Sequence, residues 1–168
     1  PLRSALSARL PQGAPKLSVN DFLLQAVART LLEFPALNAT FSGDPASPDA
    51  RVVPASGAHI GLVIAVDNGL LVPVFHDVEE LGGATFSISN LGTQGPDRFT
   101  AIINPPQSAI LAVGRQRECA VVRNGGIHVR PLSALTLTVD HRVVDGRLAS
   151  EFLARLVEIL EGSDWRFD

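Results

Sequence analysis

The stretch Leu135-Thr136-Leu137-Thr138-Val139-Asp140-His141-Arg142-Val143-Val144-Asp145-Gly146 sets the reading of this chain. Its first half alternates apolar and polar residues, the pattern of a half-buried strand. Its second half puts a histidine where that strand ends. Four residues later Asp145-Gly146 supplies a turn suited to launching a helix. A histidine carried at the end of a rigid strand can project into a cleft and take a proton near neutral pH. It can equally be a structural histidine beside an ordinary Asp-Gly turn, and these residues alone leave both readings open.

Working outward, Arg147 to Leu160 carries Leu148, Phe152, Leu156, Ile159 and Leu160 on one helical face, with Gly162 as its stop. Upstream, Ala109 to Val113, Ala120 to Val122 and Ile127 to Val129 read as strands, the last two joined across Asn124-Gly125-Gly126. Near the start, Ser18 and Asp21 form a capping-box pattern ahead of a helix running to Phe34, and Pro35 ends it. Leu37 to Phe41 reads as a short strand, followed by an exposed loop marked by Gly43, Pro45, Ser47 and Pro48. Ile60 to Val66, Asp67-Asn68-Gly69 and Leu70 to Phe75 give a hairpin. Thr85 to Ser89 alternates like a strand and breaks at Asn90-Leu91-Gly92, while Asn104-Pro105-Pro106 makes a stiff connector. The sum is an α+β domain over residues 1–168, strand-rich in the middle with a helix near each end.

Composition narrows the function classes. Hydrophobic residues make up 46% and charged residues 18% of the 168, which fits a well-packed globular domain. The net charge of −3 and the scattered basic residues leave no footprint for nucleic acid, and no apolar run is long enough to span a membrane. A single cysteine, Cys119, excludes an intrachain disulfide or a cysteine-based zinc cluster, points to a reducing compartment, and reads as a partly buried structural thiol. The four histidines, at 59, 76, 128 and 141, have no second ligand at short helical spacing, so no metal site is expected. No Gly-x-Ser-x-Gly elbow is present. Pro1 to Leu10 lacks the apolar core of a secretory signal, and the opening proline suggests that something upstream has been removed.

Several segments, in order, resemble one family. They are Lys16 to Phe22, Gly69 to Val74, Gly83 to Gly92 with its Ile88-Ser89-Asn90-Leu91-Gly92, Phe99 to Gln107 followed by Ala109 to Gly114, and Asp140 to Gly146. Together they resemble the dihydrolipoamide acyltransferases, the E2 catalytic cores of 2-oxo acid dehydrogenase complexes. The resemblance implies a chloramphenicol acetyltransferase-like two-layer fold, with a mixed central sheet and flanking helices. It implies acyl transfer between dihydrolipoamide and coenzyme A, the lipoyl group being carried on a separate domain. In that reaction His141 corresponds to the general base, Ser89 to the hydroxyl that stabilises the tetrahedral oxyanion, and Asp145 to an acidic or amide position that holds the loop and histidine. Arg142 reads as an ion-pair partner in preference to a ligand for coenzyme A phosphates. The resemblance also implies a homotrimer with the histidine of one subunit facing the serine of its neighbour, assembled into a larger core. E1 and E3 components would be met through domains absent from this sequence. The expected location is cytoplasmic, or alternatively the mitochondrial matrix.

Two departures stand out. Only Pro1 to Pro15 precedes the segment matching Lys16, where the family has a longer lead-in, and a largely helical stretch expected after Val78 is missing before Leu81-Gly82-Gly83. Two other functions compete: a different coenzyme A-dependent acyltransferase of the same superfamily, and a core subunit that assembles without catalysing. Retention of both His141 and Ser89 argues against the second.

Overall fold

A computed structural model of the protein describes residues 2–11, 13–76 and 83–165. It begins with a short helix, α1 (Leu2–Ser7), and then α2 (Val19–Glu33), which starts where its capping residues predict. The Ser18 hydroxyl accepts the Asp21 backbone N–H at 3.4 Å, and the Asp21 carboxylate accepts the Ser18 backbone N–H at 2.6 Å. Two donors that a helix start leaves unmatched are thereby satisfied.

The strands follow as β1 (Ala39–Ser42), β2 (Arg51–Pro54), β3 (His59–Val66), β4 (Gly69–Leu71), β5 (Val74–His76), β6 (Phe86–Asn90), β7 (Ala109–Val113), β8 (Arg117–Arg123), β9 (Gly126–Leu132) and β10 (Leu135–Val139). Helix α3 (Gly146–Glu161) closes the order. The central sheet runs β10-β7-β6-β3-β4, with β5 pairing with β3 as well. β3, β6 and β7 are mutually parallel, whereas β10 is antiparallel to β7, and β4 and β5 are antiparallel to β3. This is the α+β, mixed-sheet, two-layer arrangement that the sequence and its family resemblance predict.

Alternation along the strands separates two faces. Ile60, Leu62, Phe86, Ile88, Ala109 and Leu111 turn to one side and are buried in a single core with residues of α2 and α3. Phe152 of α3 is fully buried there, edge-on to Phe34 at 5.6 Å and tilted against Phe86 at 5.7 Å. Burying such a ring contributes about 1.5–3 kcal/mol. The two helices are also tied at the surface. Arg155 reaches Glu33 through Nε at 2.8 Å and Nη2 at 3.0 Å, and this hydrogen bonding holds the Glu33 carboxyl below its ordinary range. The opposite face carries Gly61, Val63, Ser87, Ser89, Ile110, Ala112, Thr136 and Thr138, mostly small or polar residues, over which no helix packs among the described residues.

Three differences from the sequence reading have local causes. The strand read as Leu70 to Phe75 is two, because proline has no N–H to continue a ladder; the Pro73 carbonyl accepts Leu62 N–H at 3.0 Å and keeps both pieces on β3. β2 lies in a stretch to which the sequence reading assigns no element, since it is exposed at every position and pairs only with β1. The β8–β9 hairpin is longer than the apolar runs suggested, because its charged flanks pair in register too, from Arg117 opposite Leu132 to Arg123 opposite Gly126. Its turn places Asn124 at φ 52° and Gly125 at φ 75°, which suits those two residue types. The junction after Val78, where a missing stretch is expected, falls outside the described residues.

Candidate active site

Asp140 organises the loop that carries His141. Its backbone N–H donates to the Ser108 carbonyl at 2.8 Å, which fixes the end of β10 against the start of β7. Its carbonyl accepts the N–H groups of Val143 at 2.9 Å and Val144 at 3.0 Å, closing a tight turn. Its carboxylate accepts the Arg142 backbone N–H at 3.0 Å and the Arg142 guanidinium through Nε at 2.9 Å and Nη2 at 2.6 Å. The same guanidinium lies 4.0 Å from the centre of the Phe41 ring. Hydrogen bonding to Arg142 therefore holds the Asp140 carboxyl below the usual carboxylate range. Arg142 is thus an ion-pair and ring-stacking residue.

Val144 anchors the other end of the loop, buried at 1% exposure. Asp145 then caps α3, its carboxylate accepting Leu148 N–H at 2.8 Å. Between these anchors the His141 side chain is exposed, and among the described residues it makes no hydrogen bond or ion pair. The backbone is over-determined while the imidazole is free to meet something outside its own chain.

Ser89 sits on β6 at 9% exposure, on the face away from the helices. Asn90 secures the turn that follows: its Oδ1 accepts Gly92 N–H at 2.8 Å, and its Nδ2 donates to Asn20 of α2 at 2.7 Å. Ser87, one step back on the same face, donates to the buried Gln107 at 2.7 Å. Both serines open into a cleft of about 520 Å³ whose walls include Val63, Val72, Phe99 and Ile103. None of the described residues lining it is ionisable. Sequence reading missed these walls, because Phe99 to Asn104 has no regular structure and its fold over the sheet has no local signature.

The structure does not bring Ser89 and His141 together within one chain. Ser89 stands opposite Ala112, which stands opposite Thr136, so the row of Ser89 crosses β10 well before its end. Val139 lies three positions further along, about 10 Å, and two strands to the side, about another 10 Å. His141 is beyond that. The cleft at Ser89 accordingly lacks His141 among its walls. Cys119 is partly buried on β8, as expected. Among the described residues no cluster of three or more His, Cys, Asp or Glu side chains could hold a metal, and no helix is long and apolar enough to cross a membrane.

Comparison with known proteins identifies the family. The chain matches the family of 2-oxoacid dehydrogenases acyltransferase (catalytic domain) over residues 1–82 and 76–165. It is 37% identical over 172 residues to the dihydrolipoyllysine-residue acetyltransferase component of the pyruvate dehydrogenase complex of Rickettsia bellii, covering 87% of this chain and 40% of the relative. The chain thus spans less than half the length of that relative. The dihydrolipoamide acetyltransferase of Azotobacter vinelandii superposes with a TM-score of 0.83 at 30% identity, over 96% of this chain and 75% of that one. That structure addresses a serine, a histidine and an asparagine in its catalytic mechanism, spaced as Ser89, His141 and Asp145 are spaced here. The cubic core of a pyruvate dehydrogenase multienzyme complex superposes with a TM-score of 0.82 at 31% identity, over 94% of this chain and 74% of that one.

Proposed function

This chain belongs to the 2-oxoacid dehydrogenase acyltransferase catalytic-domain family, and on that premise we propose that it moves an acyl group between dihydrolipoamide and coenzyme A. The observation that carries the reading is that one chain presents, at separate places, an exposed histidine on a pinned loop and a serine in the wall of a cleft. The matching spacing of serine, histidine and amide in the Azotobacter enzyme supports the same assignment.

The roles follow from the chemistry. A thiol near its ordinary pKa of about 8.5 is mostly protonated at neutral pH. His141 takes the coenzyme A thiol proton as the sulfur attacks the acyl-lipoamide thioester carbonyl. The carbonyl oxygen becomes an oxyanion and receives the Ser89 hydroxyl hydrogen bond. Collapse breaks the carbon–sulfur bond to dihydrolipoamide, and its leaving sulfur takes the proton back from the imidazolium. No acyl-enzyme forms and no metal is needed. Asp145 acts by setting the turn and the start of α3 beside the histidine.

Because one chain holds the two groups apart, the complete site forms between subunits: His141 of one faces Ser89 of the next. We assign a homotrimer, the assembly that the family resemblance implies, in which each serine meets a neighbour's histidine. The likeness to a cubic core supports assembly of trimers into a larger body. The lipoyl group and contacts with E1 and E3 components belong to other domains, and the bacterial relative supports a cytoplasmic location. We also assign a missing internal stretch after Val78. The two parts of the family match meet at residues 76–82, and a 172-residue alignment uses only 87% of this 168-residue chain.

The test is turnover of acyl-coenzyme A with dihydrolipoamide by the parent and by His141→Ala, each shown to be assembled. Loss of a general base lowers turnover by roughly 10²–10⁴. Equal rates from two assembled proteins would return the chain to the scaffold reading. Ser89→Ala lowers the turnover number by about a hundredfold with assembly intact.

A further inference from the structure

Resting on the acyl-transfer reading of the Ser89 cleft, we propose that this site accepts an uncharged aliphatic acyl group and rejects one that ends in a second carboxylate. The row of side chains through Ser89 carries the argument. Ser89 stands opposite Val63 across the parallel β6–β3 pair. In the antiparallel β3–β4 register Ile64 stands opposite Leu71, and one further step sets Val63 against Val72. On the other side of Ser89 the row continues with Ala112. Residues in one row share a face at about 5 Å intervals. A thioester carbonyl held at the Ser89 hydroxyl therefore lays its acyl chain against Val63 and Val72, which both line the cleft.

No described residue lining the cleft carries a charge that would pair with a carboxylate. The basic side chain next to His141, which would arrive with the neighbouring subunit, is Arg142, and it is already committed to Asp140 and the Phe41 ring. A carboxylate laid along this row would face apolar side chains and find no cation in return. A methyl or isopropyl group there gains by leaving water. Val63 and Val72 are thus the specificity-determining pair, Val63 partly buried and Val72 at the rim, 37% exposed.

Acetyl-, isobutyryl- and succinyl-coenzyme A are compared in kcat/KM with dihydrolipoamide, using the assembled parent and Val72→Lys. The expected parent value for succinyl is more than about tenfold below that for isobutyryl, and Val72→Lys narrows the gap by about tenfold. A parent that uses succinyl within tenfold of isobutyryl overturns the proposal, and so does a Val72→Lys protein with an unchanged preference. Calorimetric binding of the S-butyl and S-(3-carboxypropyl) thioethers of coenzyme A separates the two levels of the argument. If no acyl-coenzyme A turns over, the reaction assignment falls, while tighter binding of the butyl thioether by about tenfold still upholds the cleft's preference. Equal affinities, or no binding of either, overturn it.

Discussion

Ser89 and His141 occupy different corners of the same sheet, Ser89 in the row of Ala112 and Thr136 and His141 past the end of β10 at Val139. On the proposed reading, a site built from both draws them from two chains. This arrangement predicts complementation. His141→Ala and Ser89→Ala are each nearly inactive alone, but when unfolded together and reassembled they form mixed trimers in which one intact histidine meets one intact serine. Random mixing in equal amounts restores about a quarter of the parent activity. Mixed assemblies as inactive as the separate variants would show that each site is confined to one chain.

The Asp140–Arg142 latch makes a pH-dependent prediction. The Asp140 carboxyl is held below its ordinary range, so the folded protein binds this proton less readily than the unfolded chain does. Its stabilising contribution is complete above about pH 4 and is lost as pH falls through the depressed folded value. Asp140→Asn removes that contribution. The variant melts below the parent at pH 7, and the gap closes on acidification below about pH 4. Its turnover number falls by roughly tenfold, since the loop that aims His141 loses its clamp. Melting curves from neutral to acid pH check the first part, and a constant gap at all pH values contradicts it.

Phe152 supplies a stability check on the two-layer packing. It is fully buried between Phe34 and Phe86, so Phe152→Ala leaves a cavity at the junction of α3 with the sheet. The expected loss is about 3–5 kcal/mol, read from denaturant unfolding, with Phe152→Leu costing clearly less. A loss below about 1 kcal/mol would place the ring outside a packed core.

Much of this architecture was legible where local chemistry and tertiary packing agree. Ser18 and Asp21 announce α2 because the cap is a contact between near neighbours in sequence. Asp145, Gly162 and the apolar face between them announce α3 for the same reason. The strand carrying Ser89 alternates visibly because its apolar residues face the core and its serines face the cleft. What could not be read is non-local. The parallel β3–β6–β7 pairing joins segments whose order in the sheet leaves no periodicity. Helix α1 has too few residues to show a face, and β2, exposed throughout, has no burial pattern. At the site, family resemblance supplied His141, Ser89 and Asp145, but only the register revealed Val63 and Val72 beside the serine and the distance to the histidine.

Asp145 separates a positioning role from an electrostatic one. Its carboxylate accepts Leu148 N–H at the start of α3, directly after the buried Val144. Asparagine keeps an oxygen acceptor at that place, whereas alanine leaves a helix-end donor unmatched. Asp145→Ala therefore costs about 1 kcal/mol in unfolding free energy, and Asp145→Asn only a few tenths. If the residue serves the reaction by holding the turn, the turnover numbers follow the same order: Asp145→Asn stays within about threefold of the parent and Asp145→Ala drops by roughly tenfold, with KM little changed in both. A different order decides against it. Should Asp145→Asn lose as much turnover as Asp145→Ala while remaining as stable as the parent, the negative charge itself acts on the His141 imidazole. The side chain would then have to leave its helix-capping position when substrate and the neighbouring subunit are in place.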